Sequence, residues 1–314
     1  MKKAFVFSGQ GAQYVGMLKE LASAYPVVDQ TIQEASQLLG YDIGELLFYD
    51  EVKLNQTQFT QPAIFTMEVA ILRLLDSLGV TPDVTAGLSL GEYSALVAAK
   101  VLNFDEALLL LEKRALFMQE ASMTVSSKMY AVLSEDRTLV EQVCHQLQNQ
   151  HLYVAPANYN MPGQIVIAGE TEACDMAAKR LIEAGVKRCV SLAVSGAFHT
   201  ELMQEAAEKF QPYLQKQNWK EPVIPIISNT YANDMREVDL PISTIMEQQM
   251  THPVYFEDSI RYMVTLGVDV FIEIGPKKVL SQFIKKIDKE KQITNVEDEA
   301  SLQRTIQLLK GEAV

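Results

Sequence analysis

Residues 84–99 constrain this chain more than any other stretch. Val84 and Ala86 belong to a short apolar segment, Gly87-Leu88-Ser89-Leu90-Gly91 follows at once, and the small-residue run from Glu92 to Ala99 has helical character. A strand that turns sharply into a helix, with a glycine on each side of a serine, is the setting of a nucleophile elbow. The glycines leave room for a strained turn that lifts the hydroxyl clear of the sheet, and the helix points its first amides at the same spot. Ser89 is therefore the candidate nucleophile; the competing interpretation is a plain Gly/Ser turn at a helix start.

The flanking pattern predicts a parallel sheet covered by helices. Strand-like runs at 4–7, 84–87, 223–228 and 268–274 alternate with helix-like segments at 61–78, 105–121 and 201–215. Residues 128–192 follow another rhythm: strand 129–133, helix 136–150, strand 152–158, strand 164–168, helix 171–184, strand 188–192. This βαββαβ order predicts a ferredoxin-like small domain. It is expected to be inserted at 128–192 into a larger α/β-hydrolase-like domain of residues 1–127 and 193–314, with Ser122–Ser127 as its entry and Ala193–Gly196 as its exit.

A chain of 314 residues, 48% of them hydrophobic, can bury a core of that size. The apolar run after Met1-Lys2-Lys3 stops at Ser8, too short for an export signal, and no window supplies the ~20 uninterrupted apolar residues of a membrane span. A cytoplasmic protein with no membrane contact is expected. The net charge of −13 argues against a nucleic-acid partner. Cys144, Cys174 and Cys189 lack metal-ligand spacing, so neither disulfide nor metal is expected. Basic pairs remain at Lys179-Arg180, Lys187-Arg188, Lys277-Lys278 and Lys285-Lys286, whose plain interpretation is solvated surface.

A serine nucleophile needs a base, most often histidine, and the chain has four. His145 falls in an amphipathic helix, His151 in the polar turn after it, and His252 before Pro253. His199 stands in a loop at the domain boundary ahead of a helix, which suits either a base or a helix-start histidine. Arg114 has Leu110, Leu111, Phe117 and Met118 at helical spacing on its own face. An inward guanidinium needs an anion, either an internal carboxylate or one on a substrate. Phe7-Ser8-Gly9-Gln10-Gly11-Ala12-Gln13 follows the first strand but has no phosphate-loop pattern. Its position suits a second oxyanion-hole amide.

Taken in order, FSGQGAQ (7–13), TQPA (60–63), GLSLGEYSAL (87–96), RALFMQEA (114–121), NYNMPGQIVIAG (158–169), GAFH (196–199) and EIGPKKVL (273–280) resemble the malonyl-CoA:acyl-carrier-protein transacylase family of fatty-acid synthesis. The resemblance implies a ping-pong acyl transfer, with no bound cofactor, from malonyl-CoA to the phosphopantetheine thiol of acyl carrier protein, a transient partner of a monomeric enzyme. It assigns Ser89 as nucleophile, His199 as base, and the backbone carbonyl of Gln249 as the group orienting that base. Gln10 and Leu90 match the oxyanion-hole amides, Arg114 the partner of the malonyl carboxylate, Gln61 a pocket glutamine, and Phe198 the bulky aromatic of malonyl-selective relatives. Three positions depart from the family pattern: Leu88 replaces a histidine, Ser8 a proline, and Lys277 the second glycine of G-P-G. A trans-acting acyltransferase of a polyketide synthase, an acyl-thioester hydrolase and a non-catalytic carrier-binding scaffold are the alternatives.

Overall fold

The computed structural model describes residues 1–194 and 196–311; Ser195, within the expected domain exit, lies outside them. Among the described residues, nine strands form two sheets. The first contains β1 (Lys3–Phe7), β2 (Val84–Gly87), β7 (Ile226–Ile227), β8 (Val270–Ile274) and β9 (Gln292–Val296) in the order β7-β2-β1-β8-β9, all parallel. β1, β2 and β8 are buried almost throughout, as strands of a parallel sheet covered on both faces should be, with the polar Thr85 and Glu273 buried among them. The second contains β3 (Ser127–Leu133), β4 (Val154–Met161), β5 (Gln164–Glu170) and β6 (Arg188–Ser191), antiparallel in the order β4-β5-β3-β6. The helices Arg137–Gln148 and Thr171–Glu183 pack on it around a separate apolar cluster that includes Val132, Leu147, Ile167 and Leu181.

The two sheets meet near the elbow. Val254 donates its N–H to the Ala157 carbonyl and accepts from Tyr159 N–H, both at 2.8 Å, which docks β4 onto the larger body.

Several boundaries differ from the sequence expectation. The helix expected from Gln61 begins at Thr57, because Pro62 falls within its second turn and removes only one internal donor. The helix holding Arg114 runs Phe104–Thr124, so the entry to the antiparallel sheet is not the polar loop 122–127 but the two residues Val125 and Ser126. The strand expected over 223–228 shrinks to Ile226–Ile227, since Pro225 cannot donate to a neighbour and Asn229 is drawn into the elbow. β9 is an edge strand the apolar pattern did not announce. Cys144 and Cys174 are buried and Cys189 is half-buried, all three as free thiols. No helix among the described residues is long and apolar enough to cross a membrane.

Candidate active site

β2 ends at Gly87 and a helix begins at Gly91, which leaves three residues to reverse direction. Ser89 takes the left-handed conformation at φ 57°, a strain of about 1–2 kcal/mol for a residue with a side chain. Both glycines are required by close approach. A Cβ on Gly87 would lie 2.0 Å from the Gly91 carbonyl carbon, and one on Gly91 would lie 2.4 Å from the Phe7 oxygen.

The strain is held by a residue the sequence reading missed. Asn229, just past β7, accepts the Ser89 N–H at 2.7 Å through Oδ1 and donates Nδ2 to the Gly87 carbonyl at 2.6 Å. Its own N–H bonds Glu92 Oε1 at 2.9 Å. Glu92 is fully buried, and burial pushes its carboxyl up to about 7 against the opposing pull of the Asn229 amide, Gln249 and Arg114. Only the position of Asn229 directly after a strand of the same sheet could have drawn attention to it.

His199 is also left-handed, at φ 60°, and buried. Its Nε2 lies 2.8 Å from Ser89 Oγ and its Nδ1 2.8 Å from the Gln249 carbonyl. A carbonyl only accepts, so Nδ1 carries the proton and Nε2 offers its lone pair to the serine. Burial first and Arg114 second lower the imidazole to about 3. The ring is therefore neutral at any ordinary pH, with the Nε2 lone pair free to accept. His145, His151 and His252 are exposed and lie elsewhere.

Arg114 is completely buried and its pKa is lowered by burial. Nη1 donates to Gln61 Oε1 at 2.6 Å, and Nη2 donates to Gln249 Oε1 at 2.8 Å and Ser89 Oγ at 3.1 Å. Its Nε has no partner, and none of the ion pairs among the described residues involves it. Gln249 acts at three atoms: its carbonyl meets His199, its Oε1 Arg114, and its Nε2 both Glu92 Oε2 at 2.6 Å and the Ser89 carbonyl at 2.8 Å.

The flanking amides are committed, with Ser8 N–H on the Ile274 carbonyl, Leu88 N–H on Phe7, Gly91 N–H on Leu88 and Glu92 N–H on Ser89. Those of Gln10 and Leu90 have no backbone partner of this kind among the described residues. A cavity of about 590 Å³ opens over this group. Gln10, Gln61, Ser89, Phe198 and His199 line it, Met118, Met129, Ala131 and Val166 give an apolar wall, and Asn158, Asn160 and Gln164 give a polar one. Leu90, Arg114 and Gln249 are not among the lining residues, and Arg114 and Gln249 reach Ser89 by the contacts above. A neutral imidazole and a buried guanidinium thus converge on the Ser89 hydroxyl.

A family model described as acyl transferase domain matches residues 4–310. The malonyl CoA-acyl carrier protein transacylase of Bacillus subtilis (strain 168) is 41% identical over 312 residues, 99% of this chain and 98% of that protein. The crystal structure of MCAT from Streptococcus pneumoniae aligns with TM-score 0.93 and 47% identity over 98% of this chain and all of that one. A malonyl-transacylase solved in complex with its type II polyketide synthase acyl-carrier protein aligns at TM-score 0.92 and 38% identity, over 99% of this chain and 100% of that chain. A model spanning nearly every residue and relatives this similar along their whole length leave one assignment: the chain belongs to the acyl transferase domain family, among the malonyl CoA-acyl carrier protein transacylases.

Proposed function

We propose that this protein transfers the malonyl group of malonyl-CoA to the phosphopantetheine thiol of an acyl carrier protein through a malonyl ester on Ser89. The observation that carries the reading is Arg114, a fully buried guanidinium one hydrogen bond from the nucleophile and held only by neutral groups. An unpaired buried cation is costly, and a substrate carboxylate is the partner it lacks. A hydrolase of neutral acyl groups would gain nothing from it, and a scaffold would not need the Ser89–His199 contact.

The steps follow from the contacts. Ser89 Oγ attacks the thioester carbonyl as its proton passes to His199 Nε2, and the imidazolium is steadied by the Gln249 carbonyl at Nδ1. The amides of Gln10 and Leu90 receive the oxyanion. Collapse breaks the carbon–sulfur bond, the proton on Nε2 goes to the departing sulfur, and CoA leaves as the free thiol. The pantetheine thiol then gives its proton to Nε2, attacks the ester, and the proton returns to Ser89. Phe198, buried beside the cavity, crowds an α-methyl branch, a discrimination of about 1–3 kcal/mol. The amide side chains of Asn158, Asn160 and Gln164 suit the two amides of a pantetheine arm.

The exchange is redox-neutral and its substrates carry their own thiols, so the enzyme acts with no bound cofactor or metal, as a cytoplasmic monomer. The βαββαβ order and the sheet order β4-β5-β3-β6 support a ferredoxin-like domain at 128–192 inserted into an α/β-hydrolase-like body of 1–127 and 193–314. Mixing the protein with malonyl-CoA and measuring intact mass tests the reading: a malonyl adduct that maps to Ser89 and disappears on adding holo carrier protein supports it, and absence of the adduct refutes it. Since one of the similar structures holds a polyketide carrier protein, comparing fatty-acid and polyketide carriers in the second step distinguishes the two pathways.

A further inference from the structure

Glu68, midway along the helix Thr57–Ser77, is wholly buried and takes no part in the steps above. No ion pair among the described residues involves it. Its Oε2 accepts from Ser94 Oγ at 2.6 Å, and its Oε1 has no partner. Ser94 belongs to the helix Gly91–Ala98, which follows the elbow directly. On the other side, a Cβ built on Gly275 would lie 2.5 Å from Ser8 Oγ and 3.0 Å from Glu68 Oε1, so hydroxyl and carboxyl converge on one face of the turn after β8. Ser8 is the first residue past β1, and Gln10 follows two positions on.

A lone carboxylate in such a place is prohibitively costly. Burial pushes the Glu68 carboxyl far above its usual range, the buried Glu273 adds to this, and the Ser94 hydroxyl and Ser8 amide oppose it. A neutral carboxyl has one O–H to give. With Oε2 occupied by the incoming Ser94 donor, that proton belongs on Oε1, the oxygen facing Ser8 and Gly275.

We propose that Glu68 is a positioning residue for the oxyanion hole, its carboxyl joining Ser94 behind the elbow to the Ser8 end of the loop that presents Gln10. The proposal rests on the assignment of Gln10 and Leu90 to that hole. The two donors come from separate segments, one after β1 and one at the elbow, and their spacing must match a single oxygen. Glu68 is bonded to the helix that follows the elbow and abuts the other segment at Ser8. Ser8 stands where the family pattern has a proline, which offers neither hydroxyl nor N–H, so the arrangement is a feature of this chain's own residues.

The test compares Glu68→Ala and Glu68→Gln with the wild type in rapid-quench malonylation by malonyl-CoA and in discharge of the malonyl-enzyme to holo carrier protein. Loss of one oxyanion donor costs about 10²–10³-fold, and misplacement without loss should cost about tenfold. Glu68→Ala is expected to lower the maximal rate constants of both half-reactions by the same factor, with half-saturation for malonyl-CoA within twofold, and Glu68→Gln, which keeps the shape and a donor, to restore most of it. Ser94→Ala and Ser8→Ala, small changes that keep the carboxyl, should lower both rate constants in the same direction and serve if Glu68→Ala fails to fold. A drop confined to the amplitude of the burst, with rate constants unchanged in the folded fraction, overturns the proposal. So does a loss in one half-reaction alone. A wild-type protein that forms no malonyl adduct on Ser89 would instead remove the underlying reading, before Glu68 is considered.

Discussion

Replacing Arg114 with alanine separates carboxylate recognition from the acyl-transfer chemistry. The guanidinium is enclosed, donates to Gln61, Gln249 and Ser89, and forms no ion pair among the described residues. Breaking a buried charge pair by removing one partner costs about 3–5 kcal/mol, which corresponds to a fall on the order of 10²–10⁴-fold in kcat/KM for malonyl-CoA. Acetyl-CoA has no carboxylate to lose, so its rate should change little, and the malonyl-to-acetyl ratio should fall by nearly the whole factor. One side effect must be kept apart. Arg114 helps hold His199 at about 3, so its removal lets the imidazole rise toward its ordinary value of 6.5. Acylation should therefore be measured at pH 8, where the ring is neutral in either protein, by quenched intact mass with each thioester in turn. A ratio that stays within about threefold of wild type would show that Arg114 is structural and that the carboxylate is read elsewhere.

Ser89→Ala should abolish the malonyl adduct, and an adduct persisting in that variant would place the nucleophile elsewhere. His199→Ala should slow acylation by about 10²–10⁴-fold, while changes at the exposed His145, His151 and His252 leave single-turnover rates unaltered. Because burial lowers His199 to about 3, kcat/KM for malonyl-CoA should show no loss with a midpoint near 6.5 as pH falls from 8 to 5; such a midpoint would contradict a neutral buried base. The same depression makes the neutral ring favour the folded state fully above pH 6.5, a contribution lost as pH falls toward 3, whereas Glu92, raised from 4.5 to about 7, contributes fully below 4.5 and loses its contribution as pH rises through 7. Lys277 and Lys278 are exposed just before the helix Val279–Ile287, whose Val279, Leu280 and Phe283 line the cavity. Charge reversal at both should raise KM for carrier protein and leave loading from malonyl-CoA unchanged, with the difference fading at high salt because the Debye length is about 8 Å at physiological ionic strength.

The parts of this site that could be seen in the sequence share a local cause. Ser89 is announced by a glycine two residues to either side, and their need is close backbone approach, of Gly87 to Gly91 within the turn and of Gly91 to the end of β1. Arg114 is announced by its apolar neighbours along one helix face, and β2 by Val84 and Ala86 just ahead of the elbow. Asn229 and Glu92 had no such local mark, because their work is done across more than a hundred residues of chain, at the Ser89 amide and the Asn229 amide. The helix start at Thr57 was hidden for a related reason. Pro62 obeys the rule for a first turn locally, yet the turn before it is held from outside, by Gln119 accepting the Gln58 N–H at 3.0 Å. The two-residue strand β7 owes its place to neighbours rather than to its own alternation.

The absence of a carboxylate beside His199 is part of how the site keeps Arg114 available. A serine–histidine pair is usually oriented by an acid, but an acid at the position of the Gln249 carbonyl would stand close to the guanidinium and pair with it. A neutral carbonyl fixes the same tautomer at 2.8 Å without supplying that charge. The nearest acid in the network, Glu92, is kept one residue away by the Gln249 side chain, whose Nε2 meets Glu92 and whose Oε1 meets Arg114. Burial then raises Glu92 to about 7, so that near neutral pH it is only partly charged. Each of these features leaves the cation without an ion pair among the described residues. In the proposed reaction, the energy withheld from the resting protein becomes available when a carboxylated acyl group enters, beside the hydroxyl proposed to attack.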